Sequence, residues 1–354
     1  MATVDVLAQR FADFAGHCTP RAPLYAHLSV AAAHDPTVLR LLQYAPDEQQ
    51  LPVLFFAAVH HLLLSGHGHE LAAFYPNLSS SPPTSDPTEA FLSVVHAHAD
   101  QIAQLVSTRS TQTNEVGRCA QFLPVFGMLE LEMGALTHID VGTSAGLNLL
   151  LPRYQYQFEP GGTVGEPSAV TVACATRGAV PIPTSIPHVA RSIGLDVSPI
   201  DVLDDEEVRW LEACVWPDQA DRFARLVAAL ELARETPPDV RAGDAVDSLD
   251  ELVREASHGG HPVVTNSWVL NYLSTTRRAD YVAELDRIGG RTDLSWLIAE
   301  SPAATPGLPV PTAEPPEDIT VVSLVRWRSG VRSVDRLATA HPHGYWLHWE
   351  SEAR

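Results

Sequence analysis

The segment Thr137 to Leu151 (THIDVGTSAGLNLLL) constrains the fold of this chain more than any other. It opens with a short apolar run that predicts a buried strand, and small residues follow before a second apolar run begins. Residues without bulk let the backbone turn tightly and let another group approach it closely. The segment therefore predicts a strand, a tight turn and a helix start, which together open a βαβ unit.

Short apolar runs with helical stretches between them continue from Gly134 to the end of the chain, and this alternation predicts a mainly parallel sheet. Six runs are predicted strands: Thr137–Val141, Val189–Leu195, Asp239–Ala242, Pro262–Asn266, Ser295–Ala299 and Ile319–Arg326. Tyr345–Trp349 is a seventh at the edge, and turn residues at Gly330 and in HPHG (341–344) suit an antiparallel hairpin with the sixth. The two histidines of HPHG are then turn residues.

The first part of the chain has a different hydrophobic pattern. Residues 1–134 show helical periodicity and no convincing strand, which predicts an all-helical cap domain before an α/β domain at 135–354. An insertion at about 154–187 separates the first two strands; in it QYQF and VTVACA alternate like a hairpin, and VPIPTSIP is too rich in proline for a central strand. The Pro-rich loop Ser301 to Asp318 and this insertion are candidate flaps over a site.

The charge balance restricts the partners. With 43 Asp and Glu against 23 Lys and Arg, the formal net charge is −20, so the surface repels nucleic acid and anionic membranes.

The most apolar run, Leu51–Leu64, is shorter than the ~20 residues that span a bilayer, which predicts a buried core helix and no membrane partner. The four cysteines lack metal-site spacing, and the first residues show helical spacing instead of a signal peptide. We therefore predict a cytoplasmic protein without a metal site that binds a small molecule.

The glycine spacing of the tight turn distinguishes between cofactors. A dinucleotide fingerprint starting at Gly142 needs glycines where Ser144 and Leu147 stand, and a Walker A loop needs a Gly-Lys-Ser or Gly-Lys-Thr that is missing from the sequence. The remaining D-x-G-x-x-x-G pattern resembles the first motif of class I S-adenosylmethionine-dependent methyltransferases. That resemblance implies a mostly parallel Rossmann-like sheet with an antiparallel last strand. It also implies cofactor-binding residues in the turn: Asp140, Gly142, Thr143, Ser144, Gly146 and Asn148.

A helix beginning near Gly146 would direct free N–H groups at the carboxylate of the cofactor, where the helix dipole favours negative charge. Small residues in the turn would let the backbone approach the cofactor. The alternative for this segment is an ordinary tight connection between a strand and a helix, which uses the same small residues.

Three later segments resemble the following motifs of the same family, in the expected order. RSIGLDVSP implies that Asp196 holds the ribose hydroxyls, and VRAGDAVDSL implies that Asp244 and Ala245 contact the adenine. VVTNSWVLNYL implies that Asn266 and Ser267 face the transferred methyl group. Asp196 lies 56 residues after Asp140, farther than the family usually has it, so a role as a turn-capping residue stays open.

The polar segment TQTNEVGR (111–118) supplies candidates for substrate chemistry. Glu115 could accept a proton from a nucleophile, Arg118 could bind a carboxylate, and Asn114 would line the same site. The alternative is a helix N-terminus with Thr113 or Asn114 as its cap and Glu115 in its first turn.

Nearly the whole chain resembles an uncharacterised actinobacterial domain-of-unknown-function family, through QTNEVGR, GTSAGLNLLLPRY, VWP and HPHG. We therefore expect an enzyme that transfers a methyl group from S-adenosylmethionine to a small molecule, with the helical region forming the acceptor pocket. Methyl transfer depends mainly on alignment, so a strong catalytic motif is not required. The alternatives are non-methyl chemistry with the same cofactor, or a binding or regulatory protein on the same fold.

Overall fold

The computed structural model describes residues 2–19, 21–305, 307–311 and 319–350. The chain forms two compact units, Met1–Thr113 with Val202–Val227 and Asn114–Asp201 with Ala228–Arg354. The boundary thus differs from the predicted one at residue 134. Residues 114–134 belong to the second unit because their helix, Cys119–Met133, is buried along most of its length and packs against strands of the sheet.

The described residues contain twelve α-helices, and the tenth of them contains the boundary between Val227 and Ala228. They are α1 (Val4–Cys18), α2 (Pro23–His34), α3 (Pro36–Leu42), α4 (Pro52–Leu64), α5 (His69–Ala72), α6 (Thr88–Ala97), α7 (Ala99–Thr108), α8 (Cys119–Met133), α9 (Asp205–Ala213), α10 (Ala220–Glu235), α11 (Leu249–Ala256) and α12 (Thr275–Gly289). Short 3₁₀ helices occur at Asp47–Gln49, Val116–Arg118, Leu147–Arg153, Leu270–Tyr272 and Pro302–Ala304.

The first unit is helical because its sequence starts helices repeatedly and gives them apolar faces. Proline at the first position of α2, α3 and α4 presets the helical φ, and Asp35 caps α3 through the N–H groups of Thr37 and Val38. The apolar run predicted as a core helix is α4, which is buried over nearly its whole length. Within the described parts of the chain, no helix combines the length and apolar character needed to cross a bilayer.

A histidine inside α4 is held as a neutral core residue. His60 is fully buried, with Nδ1 3.1 Å from the carbonyl oxygen of Ala213 and Nε2 3.0 Å from the amide nitrogen of Asn77. Burial lowers the pKa of His60 to about 4, because a charged imidazole would be desolvated there. The buried imidazole therefore packs as an uncharged, hydrogen-bonded side chain.

The second unit contains one sheet of eleven strands. They are β1 (Leu136–Val141), β2 (Gln155–Glu159), β3 (Gly162–Val164), β4 (Thr171–Arg177), β5 (Val189–Asp196), β6 (Val240–Ala242), β7 (His261–Ser267), β8 (Leu294–Glu300), β9 (Thr320–Arg328), β10 (Val331–Ala340) and β11 (Trp346–Trp349). Their order is β3-β2-β4-β11-β10-β9-β8-β7-β1-β5-β6. The five strands from β8 to β6 are parallel, and β9 is antiparallel to β8. The fold is therefore α/β with a large, mostly parallel mixed sheet.

Two predicted pairings are wrong. The sixth and seventh predicted strands, now β9 and β11, are not neighbours, because β10 lies between them and is antiparallel to both. The first half of β10 is largely exposed, so its sequence lacks the apolar run that marks the other strands. QYQF and VTVACA do not form a hairpin: β2 and β4 pair in parallel, and β2 forms the hairpin with β3.

The insertion at 154–187 supplies β2, β3 and β4, which lie at the edge of the sheet beyond β11. It does not enter the space between β1 and β5, which pair directly. VPIPTSIP is neither strand nor helix, as predicted. Of the Pro-rich loop predicted at 301–318, residues 306 and 312–318 lie outside the described part of the chain.

Candidate functional site

The strand order places a topological switch point at the centre of the parallel strands. After β1 and the three strands of the insertion, the chain forms β5 and β6 on one side of β1, then returns to β7 and β8 on the other. In open α/β sheets, ligands bind outside the carboxyl ends of the strands at such a reversal. Asp140 lies directly opposite Gly194 of β5 and Thr265 of β7, so the predicted turn leaves the sheet at this point.

Backbone strain is concentrated at the same edge. Among the described residues, the non-glycine residues with positive φ are Ser144 (56°), Trp268 (58°) and Ser329 (51°). Ser144 follows β1 and Trp268 follows β7, whereas Ser329 lies in the β9–β10 hairpin. Each residue in this backbone conformation lowers the stability of the folded state by about 1–3 kcal/mol, and such residues cluster at functional sites. Two of the three thus mark the carboxyl ends of adjacent strands.

Asp140, the residue before the last residue of β1, stabilises the turn by hydrogen bonds. Its carboxylate accepts hydrogen bonds from the hydroxyls of Thr143 (2.8 Å) and Thr265 (2.7 Å), and it is 2 % exposed. Burial raises the pKa of Asp140 to about 6, although the two hydroxyls and the Arg118 guanidinium favour the charged form. Asp140 therefore links the turn, through Thr143, to the neighbouring strand β7, through Thr265.

The two glycines of the turn are required by the protein's own side chains. Gly142 and Gly146 both have φ of 75°. A Cβ on Gly142 would lie 2.3 Å from Val269, and one on Gly146 would lie 2.6 Å from Val240. On those two sides the turn is packed against Val269 and Val240, and the glycines leave no room for a cofactor there.

The predicted helix start also differs. Residues Leu147–Arg153 form a 3₁₀ helix, and the N–H of Leu147 donates to Oδ1 of Asn114 (3.1 Å) instead of being free for a carboxylate. Asn148 is 4 % exposed, and its Oδ1 accepts from Cys119 Sγ (3.4 Å). Asn114 and Asn148 therefore stabilise the turn from within the protein.

Asp196 lies beside the turn despite its distance in sequence. Its Oδ2 accepts from the N–H of Ser144 (2.7 Å) and its Oδ1 from the N–H of Ser198 (2.9 Å), so it does cap a turn. The residue is only half-buried, and Val197 next to it is 76 % exposed. A carboxylate has about four acceptor positions. Two therefore remain for a ligand, next to an apolar surface.

The segment after β6 joins this edge through the backbone. The N–H of Gly243 donates to the carbonyl oxygen of Asp196 (2.9 Å). Asp244 Oδ1 accepts from the N–H groups of Val246 and Asp247, and its carboxylate is paired with Arg277. Asp244 and Ala245, the predicted adenine contacts, are partly exposed and follow the strand next to Asp196.

Asn266 does not face the site as predicted. It is fully buried, its Oδ1 accepts from Tyr281 (2.8 Å) and Trp296 (2.7 Å), and its Nδ2 lies 3.3 Å from the carbonyl oxygen of Val141. Both ends of the amide thus bind groups of the protein interior. Ser267, the next residue, is 7 % exposed and its carbonyl oxygen accepts from Arg118 Nη1 (2.9 Å).

Replacing Asn266 with alanine should leave the buried Tyr281 hydroxyl and Trp296 indole N–H without an acceptor. We expect the free energy of unfolding to fall by about 3 kcal/mol, from lost hydrogen bonds and desolvation. Denaturant unfolding measures this loss. Asn271→Ala is the control, because that residue is exposed; an equal loss in both variants would contradict the structural role of Asn266.

The polar segment TNEVGR meets the HPHG loop. Arg118 Nε donates to the carbonyl oxygen of Pro342 (2.8 Å), and Gln121 Nε2 donates to that of His341 (2.7 Å). Glu115 Oε1 accepts from the N–H of Gly117 (2.9 Å), and its Oε2 lies 3.3 Å from His343 Nδ1. The predicted residues Glu115 and Arg118 are therefore brought to this edge, together with two histidines that sequence reasoning had placed in a simple turn.

Glu300 is a further buried acid that sequence reasoning missed. It ends β8 and is fully buried, and its Oε1 accepts from the N–H groups of Val269 (2.8 Å) and Leu270 (3.1 Å). Burial raises the pKa of Glu300 to about 7, against the effect of those two N–H groups and of Arg118. The available signal was an acidic residue closing an apolar strand, SWLIAE.

No group of three or more His, Cys, Asp or Glu side chains able to hold a metal ion occurs in the described residues.

A family model described as "Uncharacterized protein conserved in bacteria" (DUF2332) matches residues 8–349. The chain therefore belongs to this family. Neither the comparison with curated proteins nor the comparison with solved structures gives a match.

Proposed function

We propose that this protein binds S-adenosylmethionine at the carboxyl edge of β1 and β5 and transfers its methyl group to a small molecule. The observation that carries the proposal is the half-buried carboxylate of Asp196, next to the strained residue Ser144 at the switch point. An acid with free acceptor positions there suits the two hydroxyls of a ribose, since hydrogen bonds to a charged acceptor are strong.

The strand order supports a nucleotide-type ligand. The five parallel strands have the order β6-β5-β1-β7-β8, which corresponds to the order 3-2-1-4-5 of doubly wound nucleotide-binding sheets. The antiparallel β9 beside them suits the class I methyltransferase arrangement implied by the sequence motifs. The further strands from β10 to β3 extend the sheet beyond that arrangement.

The residues at the edge divide into two groups in this proposal. Asp140, Thr143, Asn114 and Asn148 hold the turn in place by hydrogen bonds within the protein. Cofactor contacts then come from the accessible part of the edge: Asp196, Val197, Asp244 and Ala245. The cofactor supplies an activated methyl group on a sulfonium, and the chain aligns the acceptor with it.

Calorimetry with S-adenosylmethionine and S-adenosylhomocysteine tests the proposal. Asp196→Asn should weaken both by at least about tenfold, because hydrogen bonds to a charged acceptor are worth about 1.5–3 kcal/mol. Asp293→Asn is a matched control: Asp293 also accepts, at 2.7 Å, from the N–H of a positive-φ serine, Ser329. Equal affinities in the wild type and Asp196→Asn would contradict the assignment.

Turnover separates an enzyme from a binding protein. We expect the protein, incubated with methyl-labelled cofactor and a small-molecule extract, to transfer label to an extract component. Binding without transfer would favour the regulatory alternative on the same fold.

A further inference from the structure

Two loops that meet at the carboxyl edge hold a carboxylate against an imidazole. Gly117 and Gly344 bring the loops into backbone contact, since a Cβ on Gly344 would lie 2.0 Å from the carbonyl oxygen of Gly117. Glu115 is anchored beside this contact by the N–H of Gly117. Its second oxygen lies 3.3 Å from Nδ1 of His343.

The pair is oriented with the imidazole outward. The side chain of His343 is 23 % exposed and that of Glu115 only 3 %. A carboxylate near Nδ1 favours the tautomer that carries its proton there, which leaves Nε2 as the basic nitrogen. The other charged or titratable groups around the loop are His341, whose Nδ1 accepts from the N–H of His343 (3.0 Å), and Arg118, bound to Pro342.

Two buried polar atoms next to this loop have no hydrogen-bond partner among the described residues: Oε1 of Gln121 and Oγ of Ser267. Gln121 donates through Nε2 to the carbonyl oxygen of His341, and the carbonyl oxygen of Ser267 accepts from Arg118. Both residues therefore belong to the hydrogen-bonded cluster around the HPHG loop. The cluster that holds the loop therefore keeps unused hydrogen-bonding capacity in its interior.

We propose that His343, positioned by Glu115, takes the proton from the methyl acceptor, so the acceptor is a small hydroxyl compound or amine. This inference rests on the proposed function. The acceptor's lone pair forms the bond to the methyl carbon, and the carbon–sulfur bond breaks with its electrons going to the sulfonium sulfur. The acceptor's proton moves to Nε2 of His343, and the Glu115 carboxylate stabilises the resulting imidazolium.

Acylation by diethyl pyrocarbonate, which attacks an unprotonated imidazole nitrogen, measures this basic character without a known acceptor. Fragment-resolved mass spectrometry of the intact chain after brief treatment gives the rates at His341, His343 and His348 separately. Glu115→Gln keeps an oxygen for the N–H of Gly117 and removes the charge. The reaction is run at about pH 8, well above the ordinary imidazole pKa of about 6.5, so that loss of the carboxylate changes nucleophilicity and not the reactive fraction. We then expect the rate at His343 to fall about fivefold in Glu115→Gln, with the rate at exposed His348 unchanged.

The controls distinguish the outcomes. If Glu115 only holds the loop, its loss should raise the rates at both His341 and His343, and that result, or an unchanged rate at His343, would overturn the inference. Saturating S-adenosylhomocysteine should slow acylation of His343 in the wild type. A fall in Glu115→Gln without such protection would support the pair while contradicting the cofactor site beside it.

Discussion

Gly344→Ala should lower the free energy of unfolding by about 4 kcal/mol, of which about 1 kcal/mol comes from the left-handed backbone and about 3 kcal/mol from overpacking. Gly344 has φ of 78°, and its Cβ would lie 2.0 Å from the carbonyl oxygen and 2.3 Å from the carbonyl carbon of Gly117. Because the obstruction is backbone, no side-chain rotation relieves it. Denaturant unfolding of the whole chain measures the effect.

Gly330→Ala is the matched control for this prediction. Gly330 has nearly the same φ, 77°, but the nearest atom to its Cβ position is 3.5 Å away. We expect it to lose only the backbone contribution of about 1 kcal/mol. Equal losses in the two variants would show that the loops of Gly117 and Gly344 are not in contact, and would remove the basis for the Glu115–His343 pair.

Glu300→Gln should change how stability depends on pH. The pKa of Glu300 is raised from its ordinary value of 4.5 to about 7, so the folded state holds the proton more tightly than the unfolded state. The stability that Glu300 contributes is full below about pH 4.5 and is lost as pH rises through about 7. The glutamine variant has no such loss, so its stability relative to the wild type should rise by about 3 kcal/mol across this range.

Taking the difference between variant and wild type removes the other titrating groups. Burial lowers the pKa of His60 and of His261 to about 4, so both destabilise the folded state as pH falls below about 6.5, whichever residue stands at 300. Glu251→Gln, which removes a 77 % exposed carboxylate, controls for the change in net charge. A difference for Glu300→Gln that stays constant between pH 4 and 8 would contradict the burial of Glu300.

The sequence predicts the parallel strands well because they are covered on both faces. β1, β7 and β8 are buried at every residue, and such strands appear as continuous apolar runs. β10 escaped prediction because its exposed half reads VRSVDR. The position of HPHG could not be inferred without it, since β10 carries that loop to the carboxyl edge.

Contacts between distant residues explain the remaining differences at the site. The sequence pattern alone could not show that Asn266 accepts hydrogen bonds from Tyr281 and Trp296. Nor could it show that Asn114 accepts from the N–H of Leu147. The spacing of 56 residues between Asp140 and Asp196 is resolved by the insertion, which joins the sheet beyond β11. Local motifs therefore indicated the candidate edge of the sheet, and the fold separates its supporting residues from its accessible ones.

A crystal structure of the protein grown with saturating S-adenosylhomocysteine tests the account most directly. We predict ligand density at the carboxyl ends of β1 and β5, with the ribose hydroxyls within hydrogen-bonding distance of the Asp196 carboxylate and the adenine against Val197. Density for the nucleoside at another place, or its absence from this edge at saturating concentration, would contradict the account.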